Sequence, residues 1–196
     1  MQLEIRPAGD ADRRQLATLF ATVAEERDGI ATEPPVDVDA WAERWRLEGT
    51  LLAVAEGELV GSLSIDVSRF GFGELGMAVA RDWRGRGVGS ALVEAGIAWA
   101  RERGLHKLTL SVFPHHAAAI ALYRKFGFVE EGRRVKHYRR ACGELWDALE
   151  MGLLLCRHQA RYASREMNRP CPVRLRHVTP VTRELHVNGP SCRLWP

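Results

Sequence analysis

The chain has 196 residues, 46% of them apolar and 27% charged, which is enough for one full domain with a buried core and an extension. Its net charge of +3 conceals a division, because residues 1–155 carry 20 Lys and Arg against 23 Asp and Glu, whereas residues 156–196 carry 8 against 2. A mildly acidic body without a basic stripe excludes a nucleic-acid module as the main function; no apolar run approaches the ~20 residues that span a bilayer, and MQLEIRPAGDADRR lacks an apolar signal core, so the expectation is a cytoplasmic protein with no specific nucleic-acid partner and no membrane partner.

In chain order, QLEIRP reads as a short strand, after which Asp10 can cap a helix whose apolar stripe is Leu16, Leu19, Phe20 and Val23. The loop DGIATEPP leads to a second helix from about Val38 to Leu47. TLLAVAEGELVGSLSIDV then reads as a hairpin turning at Glu56-Gly57. ELGMAVA is a further strand, followed by the stretch WRGRGVGSAL and a helix with Val88, Leu92, Ala95 and Trp99 on one face, ending near Gly104. KLTLSVF alternates as a strand, HHAAAIALYRKF is helical up to Gly127, and FVEEGRR and ELWDALEMGLLL are two more strands. The order β-α-α-β-β-β-α-β-α-β-β predicts a mixed α/β (α+β) fold: a largely antiparallel sheet of about seven strands, with a central parallel βαβ crossover and helices on both faces.

Residues 1–155 therefore form the predicted domain, and 156–196, with five of the nine prolines, eight arginines and no lysine, a weakly ordered basic extension. The cysteines at 142, 156, 171 and 192 contain no Cys-x-x-Cys pair, so neither a disulfide framework nor a zinc site is signalled, and no metal is expected.

Three glycines where a helix should begin need a local reason, because glycine costs about 1 kcal/mol against alanine inside a helix. Between a strand and a helix they make an anion-binding loop: the helix start presents unpaired N–H groups, and glycine lets a phosphate approach them. Arg84 and Arg86 can add charge-assisted hydrogen bonds. A plain surface turn is the alternative. GRGVGSAL has no Gly-Lys-Ser/Thr, and a dinucleotide fold places its glycine turn after the first strand, not the fourth.

Arg84, Gly87 and Gly89 form Arg-x-x-Gly-x-Gly, which resembles the pyrophosphate-binding motif of the GNAT superfamily of N-acetyltransferases. ELGMAVARDWRGRGVGSALVEAGIAWARERGLHKLTLSV, then AAAIALYRKFGFVEEGRR, resemble the core of that superfamily in order, and IRPAGDADRRQLATLF resembles its opening. The resemblance spans roughly residues 2–155. It implies acetyl-CoA as co-substrate, held by Met77, Ala78, Val79, Arg84, Gly85, Arg86, Gly87, Val88, Gly89, Ser90, His116 and Tyr123, and direct acetyl transfer to the primary amine of a small molecule or a peptide or protein N-terminus. A homodimer is compatible with it. A non-catalytic acyl-CoA sensor is the alternative.

The resemblance assigns Tyr123 as the acid that protonates the leaving thiolate; a phenol near 10 against a thiol near 8.5 makes that step slightly uphill. Tyr123 also reads as a core residue beside Leu122 and Phe126. Where many relatives carry asparagine seven residues before the tyrosine, this chain has His116, two helical turns away, able to bond the cofactor or take the amine proton. Where several relatives place a glutamate base, the chain has Ser111. Glu74 then stands as the candidate base and Glu33 as a candidate for binding the acceptor amine, with Asp147 a further cation partner.

Overall fold

A computed structural model describes residues 3–155; the sequence-based expectations for residues 156–196, including three of the four cysteines, lie outside the described residues. Seven strands, β1 (Leu3–Pro7), β2 (Thr50–Ala55), β3 (Glu58–Val67), β4 (Phe72–Val79), β5 (Lys107–Val112), β6 (Val129–Arg139) and β7 (Leu145–Leu154), form one sheet in the order β1-β2-β3-β4-β5-β7-β6. Every neighbouring pair is antiparallel except β4 with β5, which are parallel. The helices are α1 (Arg13–Glu25), α2 (Val38–Arg44), α3 (Val88–Glu102) and α4 (Ala117–Lys125), so the expected element order and the single parallel crossover through α3 are present.

The β2–β3 hairpin turns where Glu56 (φ 55°) and Gly57 (φ 83°) both take left-handed geometry, the turn that matches strand twist. The main core joins Leu63, Ile65 and Leu75 of the sheet to Val88, Leu92, Val93 and Ile97 of α3, whereas Leu19 and Val23 of α1 pack with Ala78 in a second cluster. Leu75 and Ala78 differ by an odd number along β4, so their side chains point to opposite faces and the two helices cover the two sides of the sheet.

Two boundaries differ from the pattern. Helix α1 starts at Arg13 rather than directly after Asp10, because residues 10–12 form a tight 3-10 turn whose Asp12 carboxylate accepts from Gly9 N (2.8 Å) and two Arg6 nitrogens (2.8 and 2.7 Å). Helix α2 ends at Arg44 rather than Leu47, since Trp45 is extended (ψ 126°) and Arg13 Nη1 takes up the Trp45 carbonyl at 2.6 Å. Among the described residues Cys142 is an exposed free thiol, and no helix is long and apolar enough to cross a membrane.

Candidate active site

Strands β4 and β5 pair only at Phe72–Glu74 with Lys107–Thr109, then separate, although β4 continues to Val79 and β5 to Val112. The free edge this leaves on β4 is readable residue by residue. Ala80 N donates to Val60 O, so alternation along the antiparallel ladder turns Ala78 and Ala80 toward β3 and the backbone of Met77 and Val79 toward the gap. Of the three predicted residues here, Met77 and Val79 offer amides to a ligand; the Ala78 amide belongs to the β3 ladder.

The gap opens into a cleft of about 1200 Å³, bounded by the end of α1 and the loop after it, α2, β3, β4, the glycine loop, β5 and the start of α4. At one end lie Arg84, Gly85, Gly87, Gly89 and Ser90. Gly85 (φ 72°) and Gly87 (φ 89°, the N-cap of α3) hold left-handed backbone that side chains resist, and a Cβ built on either meets nothing within 4 Å, so open space lies over the loop. Gly89 answers a different need: a Cβ there stands 3.1 Å from Leu122 Cδ2, where α3 passes close to α4. The N-terminus of a fifteen-residue helix behind an open glycine loop suits a pyrophosphate. Val88 fits only through its backbone, its side chain being core. Arg86 lies outside the lining, its guanidinium 5.4 Å over the Trp83 ring. Arg84 lines the cleft but is held in place, with Nη1 and Nη2 on Glu26 at 2.7 and 2.8 Å and Nε on Val79 O at 3.0 Å.

Tyr123 lies in the wall of the cleft beside Leu122, 7% exposed, its ring 5.7 Å from Phe128. Burial pushes its phenol up to about 12. His116 is the N-cap of α4, and its Nε2 is buried without a hydrogen-bond partner, 3.4 Å from Asp28 Oδ1 but out of line with it. Ser111, on the β5 side, donates to Glu150.

The three carboxylates picked from sequence fare differently. Glu33 lies outside the lining: its Oε2 accepts from Ala141 N at 2.6 Å and its Oε1 faces Arg140 Nη2 at 3.4 Å, so it fastens the loop after α1 to the β6–β7 hairpin. Asp147 is likewise engaged within that hairpin, by Lys136 N and Arg133, which hold its carboxyl below the ordinary value. Glu74 is exposed and directly opposite Asp66 of β3, on the face that carries Gly76 and Ala78; of the facing pair, Asp66 lines the cleft.

At another part of the cleft, sequence reasoning singled out no individual residue as a site residue. Phe20, Trp41 and Trp45 cluster there, with Phe20 at 4.6 Å from Trp41 and 5.5 Å from Trp45, and Arg44 stands 5.1 Å over Trp41. The i, i+4 spacing of the two tryptophans was the available signal. Arg140, 3% exposed, is the second omission; it donates to the carbonyls of Arg27, Ile30 and Ala31 and lies 4.4 Å over the Trp146 ring.

Comparison with known proteins places this geometry. The sequence model of the acetyltransferase (GNAT) family matches residues 15–128. An L-methionine sulfoximine/L-methionine sulfone acetyltransferase of Pseudomonas aeruginosa is 33% identical over 144 residues, covering 68% of this chain and 84% of that protein. An L-amino acid N-acetyltransferase of Escherichia coli is 38% identical over 109 residues, covering 52% and 65%. Among solved structures, a ribosomal-protein-alanine N-acetyltransferase from Brucella melitensis superposes with a TM-score of 0.70 at 33% identity over 78% of this chain and 99% of that one. The yncA structure from Salmonella typhimurium, described with its cofactor acetyl-CoA, gives 0.70 at 26% identity over 83% and 99%. The overall fold is thus shared with a structure described with acetyl-CoA, and the chain belongs to the acetyltransferase (GNAT) family as an acetyl-CoA-dependent N-acetyltransferase.

Proposed function

We propose that the chain moves the acetyl group of acetyl-CoA directly to the primary amine of a small, amino-acid-like acceptor. The observation that carries this reading is the acceptor end of the cleft, where Arg44 makes no ion pair among the described residues and sits over an aromatic cluster. An acceptor carboxylate meets Arg44 while its apolar part lies on Phe20, Trp41 and Trp45. The lining carboxylates are already matched: Asp28 with His115, Glu48 with Arg103 and Asp66 with Arg46, which disfavours a polyamine. Relatives named for L-methionine sulfone and L-amino acids fit the same acceptor class.

In this reading the glycine loop and the start of α3 hold the pyrophosphate, and the pantetheine arm lies along the free edge of β4. The acceptor nitrogen, having lost its ammonium proton through water toward Asp66 in the cleft wall, bonds to the thioester carbon. Met77 and Val79 amides meet the charge that grows on the carbonyl oxygen. As the carbon–sulfur bond breaks, Tyr123 gives its proton to the thiolate, while the acceptor nitrogen, becoming an amide, sheds its second proton, which water carries back to the phenolate. At about 12 the phenol is protonated throughout the neutral range, so it always arrives as a donor; the transfer is steeper than the sequence alone implies, and it depends on the negative charge developing on sulfur. His116 also lines the cleft, with its orphan Nε2 as a polar contact for the bound substrates.

The test is a mass-spectrometric screen of the full chain with acetyl-CoA and four kinds of amine: L-methionine sulfone, the common L-amino acids, a peptide with N-terminal alanine, and spermidine. Amino acids are expected to give the highest kcat/KM, and Arg44→Ala to raise their KM about tenfold, the worth of one charged hydrogen bond, without changing that for acetyl-CoA. Preference for the peptide or for spermidine overturns the acceptor class. Binding of acetyl-CoA with no product from any amine overturns transfer and favours a sensor.

A further inference from the structure

In the wall of the cleft, two segments far apart in sequence bring three metal-ligating side chains together, of which only His116 has been given a contact with the substrates. Asp28, in the loop after α1, and His115 and His116, ahead of α4, each point one ligand atom to a common spot, all within 4.8 Å of one another. His115 Nε2 is 2.8 Å from Asp28 Oδ1, and His116 Nε2 is 3.4 Å from the same oxygen. We propose that these residues form a binding site for a divalent transition cation of the zinc class, and that its occupancy inhibits the enzyme.

The orphan nitrogen is the first argument. His116 Nε2 is sealed from water without a well-aligned hydrogen-bond partner, a state buried polar atoms avoid, and it faces the carboxylate oxygen shared with His115 at 3.4 Å. A cation seated between the three gives that nitrogen a partner.

Geometry is the second argument. Zinc bonds of about 2.0–2.1 Å to nitrogen and oxygen in a tetrahedron set ligand atoms roughly 3.3 Å apart. The His116–Asp28 separation already has that value; the His115–Asp28 contact must open slightly and the two imidazoles close. Asp28 (61% exposed) and His115 (46% exposed) are on the solvent side and free to make that adjustment, while His116 forms the floor. The imidazoles are otherwise well seated: His115 stacks on Phe113 at 5.5 Å and 10°, and the His116 backbone is fixed by bonds to Phe113 O and from Ile120 N.

Two imidazoles and one carboxylate select zinc, cobalt, nickel or copper over magnesium and calcium, which prefer oxygen. Arg140, 5.6 Å from the Phe113 ring, has its charge met by Glu33 and three carbonyls. All three donors also line the cleft with Tyr123, so a bound cation ties the loop after α1 to the start of α4 and removes His116 from the cleft wall. The inhibitory half of the proposal rests on the acetyltransferase reading; the binding half does not.

The full chain, stripped of metal with a chelator, is titrated with Zn²⁺ by calorimetry and with Co²⁺ by visible absorption, beside Asp28→Ala and His115→Ala. Each variant is expected to lose one equivalent of tight zinc, its apparent affinity falling by about a hundredfold, at least the 10- to 100-fold that outer-sphere partners alone contribute. The cobalt spectrum of that equivalent must lack the thiolate charge-transfer band that cysteine ligands produce. Identical titrations of parent and both variants, or a thiolate band in the equivalent that is lost, overturn the site. Acetylated product, read by mass spectrometry because free CoA thiol also binds zinc, is expected to fall in the parent with Zn²⁺ through a raised acceptor KM and to be insensitive in both variants. Unchanged turnover with the site filled overturns the inhibition. A metal-free chain that acetylates nothing counts against the transfer reading alone, because the cobalt spectrum needs no turnover.

Discussion

Glu26 and Arg84 are joined by two parallel hydrogen bonds of 2.7 and 2.8 Å, so the end of α1 grips the loop proposed to hold the cofactor pyrophosphate. The pairing changes what a substitution does. Arg84→Ala leaves a carboxylate beside the phosphates as well as removing a cation, and is expected to raise the acetyl-CoA KM about tenfold or more. Adding Glu26→Gln removes that repulsion, so the double variant is expected to bind acetyl-CoA more tightly than Arg84→Ala alone. Cofactor affinities of the four proteins of this cycle measure the coupling; a double variant no better than the single one would mean that the carboxylate does not face the phosphates.

Tyr123→Phe keeps the ring packed on Phe128 and removes only the proton donor. The expected result is a fall of about 100-fold in kcat with acetyl-CoA KM and Tm little changed. Because burial holds the phenol near 12, the rate of the parent enzyme is expected to rise with pH as the acceptor ammonium ionises, and then to show no decline as pH passes the ordinary tyrosine value of about 10. A kcat fall near pH 10 that vanishes in Tyr123→Phe would assign an ordinary phenol to this position.

The features legible in the sequence are those set by local chemistry. Strand alternation, the left-handed turn at Gly57, and the glycines at 85 and 87 each reflect a backbone requirement that neighbouring residues reveal. The cleft depended on partners far apart along the chain. Glu33 looked free in ATEPP, but its partners, Arg140 and Ala141, come from the β6–β7 hairpin. Arg84 looked like a free phosphate ligand because Glu26 lies 58 residues earlier. His115 and His116 stood out as a pair, whereas Asp28, which turns them into a three-donor cluster, lies 87 residues before His115. The helix stripe on α3 was also turned: Ala95 and Trp99 are only partly buried, and Val93, Ile97 and Ala100 take the core.

Arg140 decides how firmly the loop after α1 is held. It is buried and bonds three of that loop's carbonyls, so Arg140→Met leaves those carbonyls and Glu33 without their cation. A loss of about 3 kcal/mol is expected, or roughly 6–12 °C in Tm for a chain of this size. The acceptor KM should rise too, because Ile30, Ala31 and Thr32 line the cleft. Glu33→Gln keeps an oxygen for Ala141 N and is expected to cost less than about 1 kcal/mol. Thermal melts of the two variants and acceptor titrations check both; equal losses would place the clamp in Glu33 instead.

Asp12 sets the acid limit of the fold's first corner. The two Arg6 nitrogens, then Gly9 N, lower its carboxyl from 3.8 to about 2. The folded chain therefore releases this proton more readily than the unfolded one, and the stabilisation is fully present above about pH 4 and disappears as pH falls through about 2. Its size is roughly 1–2 kcal/mol after allowance for the part-exposed Arg6. Asp12→Asn should thus lower stability by that amount at pH 7, where urea unfolding gives the difference directly, and the gap between parent and variant should shrink steadily from pH 4 to pH 2. A gap independent of pH would show that Asp12 acts through the shape of the turn, which asparagine also supports, and that its charge contributes nothing.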